Sequence, residues 1–295
     1  LALTNPSARS TPPVAFTRTG VVDVPRRAVP SDLLTVAAIA VIAYAVANLL
    51  HEGVGHGGAC LLVGGAPRLL TSVSFACDTG ALPPIASKLV SASGTIMNLI
   101  AGGIAALLYA RGVGHSTAAR FFLWLFATVN LMQGFGYFLF SAVGRIGDWA
   151  AVMSEVRPEW AWRIVLAVGG FALYWLTTAR AMSALARFIG GEPGDRYPIG
   201  LRFALTSYGA GALLYCISGA LNPHGLLLLA VSAAAASLGG TSGLAWGPQL
   251  LRGQREASPA DVPPARIPRD MRLLVVALLI GLTFIFLLGP GIRIS

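Results

Sequence analysis

Asn48-Leu49-Leu50-His51-Glu52-Gly53-Val54-Gly55-His56-Gly57-Gly58-Ala59 is the stretch from which the rest of the chain is read, because it sets two histidines and a glutamate inside an apolar run that begins near Asp32. An ionisable side chain at the centre of a bilayer costs roughly 2.5–3.5 kcal/mol on translocon-based scales, so three together require a compensating partner, most simply a metal ion. The zinc-binding pattern H-E-x-x-H places its histidines one helical turn apart. Here the histidines stand five apart. Five residues of regular α-helix rotate about 140°, which points His51 and His56 at different neighbours. A single π-bulge, which inserts one residue into a turn and occurs preferentially at functional sites, would restore a common face, and Gly53 and Gly55 would ease it. The other reading is that Glu52 and His56, four apart, share the face while His51 does something else.

Composition sets the environment. Of 295 residues, 55% are hydrophobic and 11% charged, against about 25% charged in an average soluble domain. The expected class is an all-α polytopic integral membrane protein. The net charge of +9 does not point to nucleic acid, since there is no basic run and the arginines fall in short connections between apolar segments. Three cysteines, Cys60, Cys77 and Cys216, are an odd number without C-x-x-C spacing, so neither a disulfide framework nor a thiolate zinc site is expected. Residues 1–30, rich in Pro, Ser, Thr and Arg, read as a flexible basic tail carrying Arg9, Arg18, Arg26 and Arg27. The apolar segment that follows is too long for the core of a signal peptide.

Seven apolar segments are each long enough for the roughly 20 residues that cross a hydrocarbon core: 32–63, 85–110, 118–143, 160–186, 199–221, 225–250 and 271–290. Gly239, Gly240 and Gly243 can break the sixth, so six spans are the alternative count. Between the first two spans, Arg68 to Gly80 is β-branched, partly alternating and closed by turn residues, which predicts a short strand or hairpin at membrane level. The Pro-rich segment 253–269 is expected to be an extended connection. The chain then divides into the tail 1–30, a metal-site transmembrane core 31–150 and further transmembrane helices 151–295. On seven spans, 15 of the 21 Lys and Arg residues fall on the side of the N-terminus and 6 on the other. The charge rule therefore puts the N-terminus in the cytoplasm and the C-terminus outside.

A catalytic zinc site takes a third protein ligand and leaves one position open. Acidic residues outside the cluster are few, and most lie in the tail or beside basic residues. Asp148, in Gly144-Arg145-Ile146-Gly147-Asp148-Trp149, follows the third span directly at a glycine-broken helix end and is the candidate. Spans one and three run in the same direction, so His51, His56 and Asp148 arrive on the same side of the membrane.

At this point the sequence resembles the site-2 protease family of intramembrane zinc metalloproteases. The likeness rests on Asn48 to Gly57, close to the family's zinc helix apart from one extra residue. It rests also on Ser93-Gly94-Thr95-Ile96-Met97-Asn98, similar to the family's G-P-x-x-N span with Thr95 where Pro is usual, and on the late, glycine-flanked Asp148. It covers residues 32–150. It implies a metalloendopeptidase holding Zn2+ on His51, His56 and Asp148, with Glu52 as general base and Asn98 positioning the substrate, a transmembrane protein cut in or near its spanning segment. The implied setting is a bacterial inner membrane. The bacterial family holds its zinc toward the cytoplasm, whereas the charge count puts this site toward the outside. Blander readings exist for each residue: a buried polar cluster satisfied by neighbouring helices, Asp148 as a helix N-cap or ion-paired with Arg145, and Asn98 as a packing residue. A catalytically silent relative and a proton- or metal-coupled transporter are the alternative functions. His115 and His224 lie at loop edges and are given no role.

Overall fold

The first apolar run becomes a single rod, Leu33–Leu62. It opens at Asp32, whose carboxylate accepts from the Thr35 backbone N–H at 3.2 Å and from the Thr35 hydroxyl at 2.8 Å, so an orphan donor of the first turn is satisfied. The rod continues as α1 (Leu33–Leu49), a π-helical stretch (Leu50–Gly57) and α2 (Gly58–Leu62). The computed structural model describes residues 31–191, 193–222, 235, 238–253 and 265–294. The tail 1–30 and most of the 253–269 connection therefore lie outside the described residues.

Five further apolar rods follow: α3 (Pro84–Ala110), α4 (Thr117–Gly144), α6 (Glu159–Ile189), α7 (Pro193–Ala220) and α8 (Met271–Thr283), the last carried on to Leu288 by a π-helical turn. A short helix, α5 (Asp148–Val152), lies between α4 and α6. Among the described residues, six helices are thus long and apolar enough to cross a membrane. The expected segment 225–250 lies partly outside the described residues, and its described part holds a turn of helix at Gly243–Trp246 and a 3-10 stretch at Gly247–Gly253.

α1 is the axis of the bundle. Val36, Ile39, Ala43 and Tyr44 are fully or almost fully buried, and α1 packs against α4, α7 and α8 while the π-helical stretch lies on α3. Tyr44 donates its hydroxyl to Thr241 at 2.8 Å and receives the Tyr215 hydroxyl on its backbone carbonyl at 3.0 Å. Polar atoms sunk among apolar helices thereby find partners. The outer faces of α6 and α8 expose Val165, Val168, Phe171, Leu278 and Phe286, an apolar exterior that suits lipid.

The hairpin expected after the first span is present as β1 (Ala66–Leu70) and β2 (Phe75–Asp78), antiparallel. A third strand, β3 (Ile292–Arg293), pairs with β1 from the far end of the chain. Asn48 donates to the Ser72 carbonyl at 2.8 Å, which ties the hairpin turn to α1. The expectation of no disulfide is overturned: Cys60 in α2 and Cys77 in β2 are bonded, with Cα atoms 5.9 Å apart, and Cys216 is the free cysteine. The odd count hid a pair, because only the return of β2 over α2 brings residues 17 apart together.

The element ends sort into two sets. Asp32 receives Arg269 at 3.1 Å and donates its N–H to the Ile267 carbonyl at 2.8 Å, and Ala265 donates to the Ile189 carbonyl at 2.8 Å. At the opposite end, the Ser72 N–H meets the Leu288 carbonyl at 2.7 Å, and Gly289 lies against Ser218 and Leu221.

Candidate metal centre

In a π-helix the hydrogen bonds run from i to i+5, so residues five apart stand one above the other. Leu50–Gly57 takes this form. His51 and His56 consequently meet edge to face, with ring centroids 4.8 Å apart and Nε2 atoms 3.2 Å apart. The reading in which His51 turns elsewhere is excluded by this arrangement.

Asp148 arrives from the far end of α4. Arg145 in the left-handed region (φ 57°) and Gly147 (φ 81°) turn the chain sharply there, and glycine adopts such a φ without steric cost. Asp148 becomes the first residue of α5, with Gly147 and not Asp148 at the N-cap, while Arg145 pairs with Glu159 at 3.2 Å. Freed from both of those roles, the Asp148 carboxylate points inward, Oδ2 3.4 Å from His51 Nε2 and 3.5 Å from His56 Nε2. Burial acts to raise its pKa, but the two imidazoles facing it outweigh burial and hold it well below the usual carboxylate range.

These three atoms fit a metal ion. A tetrahedral site with bonds of about 2.0–2.1 Å has ligand-to-ligand edges of about 3.3–3.4 Å, and the three edges measured are 3.2, 3.4 and 3.5 Å. The Val90 contact suits this: His56 Nδ1 lies 2.7 Å from the Val90 carbonyl, which can only accept, so a proton sits on Nδ1 and Nε2 is the atom a neutral ring would offer to a metal. The buried Oδ2 of Asp148 makes no well-formed hydrogen bond among the described residues and meets the two imidazoles at 3.4 and 3.5 Å. Such an acceptor is costly without a cation.

The floor of the cluster is backbone. A Cβ on Gly94 would stand 2.5 Å from His56 Nε2 and 2.7 Å from His51 Nε2. A Cβ on Gly55 would meet the Gly94 Cα at 2.7 Å. Only a glycine pair lets α3 run this close beneath both histidines. Tyr137 forms a side wall, its ring stacked on His51 at 5.2 Å and 21°.

Glu52 is buried and borders two spaces. One is a cleft of about 280 Å³ that it shares with His56, Ser74, Phe75, Tyr137, Phe140 and Asp148. The other, about 10 Å³, lies between His51, Asn98, Asn48, Gln133, Tyr137 and Tyr215. That is roughly the room of one water. Asn98 is buried, and neither its amide nitrogen nor its oxygen has a partner among the described residues.

The structure thus brings together His51, Glu52, His56, Asn98 and Asp148, which lie on three separate segments of the chain. Sequence reasoning did not single out Val90, Tyr137, Gln133 or Tyr215. The signal available for Gln133 was an amide, one of two with Asn130, within an apolar span; the Val90 carbonyl leaves no signal at all. Comparison with protein-family models, with curated proteins and with solved structures finds no match for this chain.

Proposed function

We propose that this protein is a zinc-dependent intramembrane endopeptidase, a divergent relative of the site-2 proteases that its histidine motif resembles. One observation carries the reading: three lone-pair atoms of His51, His56 and Asp148 stand at tetrahedral edge distances, beside a buried glutamate, in a cleft between apolar helices. A zinc ion held there supplies Lewis acidity and a nucleophilic water near neutral pH.

The chain's own residues would do the rest. The Glu52 carboxylate takes a proton from the attacking water and returns it to the leaving amine. Val90 keeps the His56 proton on Nδ1, and Tyr137 holds the plane of the His51 ring. The resemblance assigns Asn98 to positioning substrate backbone, which must first unwind, because a membrane helix spends its carbonyls on its own hydrogen bonds. The π-helical turn supports an active site over a silent relative, since it absorbs the extra residue that would otherwise separate the histidines.

The test is metal content of the purified chain beside His56→Ala and Asp148→Ala, followed by terminal-amine proteomics of membranes from cells carrying wild type or Glu52→Gln. About one zinc per wild-type chain, lost in both ligand variants, together with new protein N-termini that disappear in Glu52→Gln, is expected. A metal-free wild type overturns the site. Zinc without any Glu52-dependent cleavage turns the reading toward transport.

A further inference from the structure

The disulfide and the metal cleft are parts of one structure. Cys60 lies one turn beyond His56 on the same rod, and its partner Cys77 lies on β2, whose Phe75 ring approaches Gly57 so closely that a Cβ there would stand 3.3 Å from it. Ser74 and Phe75 line the cleft. The bond therefore fastens one wall of the cleft to the end of the helix that carries both histidines. Gly65 fits against it, since a Cβ at that position would come 2.6 Å from Cys77 Sγ.

Which face of the membrane this end occupies follows from two unrelated observations. Disulfides persist in oxidising compartments and are reduced in the cytosol, so a structure whose cleft wall is fastened by one belongs outside the cytoplasm. Independently, Lys and Arg accumulate on cytoplasmic connections. Among the described residues, Arg111, Arg120, the four arginines from Arg180 to Arg202, Arg252, Arg266, Arg269 and Arg272 make 10 basic residues toward one end, and the end bearing the hairpin and Asp148 has 6. The covalent chemistry and the charge distribution point the same way.

We propose that the metal cleft opens on the oxidising, non-cytoplasmic face of the membrane and that the Cys60–Cys77 disulfide holds its hairpin wall in place there. On the endopeptidase reading, on which this part rests, the substrates are membrane segments reached from that face. This is the reverse of the orientation that the resemblance implies.

The test reads topology and thiol state, neither of which needs metal or activity. The full chain carrying Cys216→Ser is expressed with a reporter cysteine at one of two exposed positions, Ala81→Cys in the turn before α3 or His115→Cys between α3 and α4. Intact spheroplasts are treated with a membrane-impermeant maleimide. Ala81→Cys is expected to label without permeabilisation and His115→Cys only after it. In the wild-type chain, denatured and alkylated, Cys60 and Cys77 are expected to react only after reduction. Labelling of Ala81→Cys that requires permeabilisation overturns the proposal, and so does alkylation of Cys60 and Cys77 without reductant. If zinc and cleavage are absent but the labelling is as expected, the orientation stands and the endopeptidase reading falls.

Discussion

His51 Nε2 and His56 Nε2 stand 3.2 Å apart although five positions separate the residues. The π-helical turn closes that gap by confining one extra residue to Leu50–Gly57, leaving α1 and α2 in their packed registers on either side. Gly53 has open space where a Cβ would be, so it is the residue to remove. Deleting Gly53 is expected to return the turn to α-helix, with the histidines four apart and still on one face. Zinc should remain at about one per chain by elemental analysis. Loss of zinc from a folded deletion variant would mean that the π-helical geometry does more than restore the spacing.

Gly94 is the floor beneath both imidazoles. Gly94→Ala should improve intrinsic helix propensity by about 1 kcal/mol and yet abolish zinc binding, because the new methyl occupies the space of the Nε2 atoms. Gly58→Ala, which meets nothing within 4 Å, is the matched control and should leave zinc unchanged. A Gly94→Ala chain that keeps its zinc would refute this packing.

Tyr137 acts on the cluster through the face of its ring. Groups that orient a metal-bound histidine typically contribute about 10–100-fold in metal affinity. Tyr137→Ala should therefore weaken zinc by about that factor in a competition titration with a chromogenic chelator, while Tyr137→Phe, which keeps the stack, should not. Equal losses in the two variants would move the contribution from the ring to the hydroxyl.

Asp32 joins the starts of α1 and α8 through Thr35 and Arg269. The Arg269 guanidinium and the Thr35 hydroxyl hold its carboxyl below the ordinary value. A carboxylate depressed in the folded state stabilises that state above its unfolded pKa, about 3.9, and the contribution is lost as pH falls through the folded value. Asn also caps helices, so Asp32→Asn removes the charge and keeps the cap. It should lower Tm slightly at neutral pH, and the difference from wild type should shrink as pH falls below the unfolded carboxyl value of about 3.9. A gap that persists in acid would assign the effect to capping geometry.

Much of this protein was legible in one dimension. Each long helix announces itself as an apolar run bounded by residues such as Asp32 and Gly64, and the hairpin by β-branched residues ending in Asp78-Thr79-Gly80. His51, Glu52 and His56 stand out because ionisable groups are rare in such runs, and Asp148 because so few other acids were available. These features are local: hydropathy, periodicity and turn chemistry act over the few residues that carry them. The folding of β2 onto α2 decided the Cys60–Cys77 bond, and the return of the C-terminus decided the third strand at Ile292–Arg293. The approach of α3 decided that Gly94 lies under the histidines and that the Val90 carbonyl fixes the His56 tautomer. The Arg145–Gly147 turn decided that Asp148 faces the imidazoles and not Arg145. Each of these depends on a distance between segments far apart along the chain, and such distances are set by how whole helices pack.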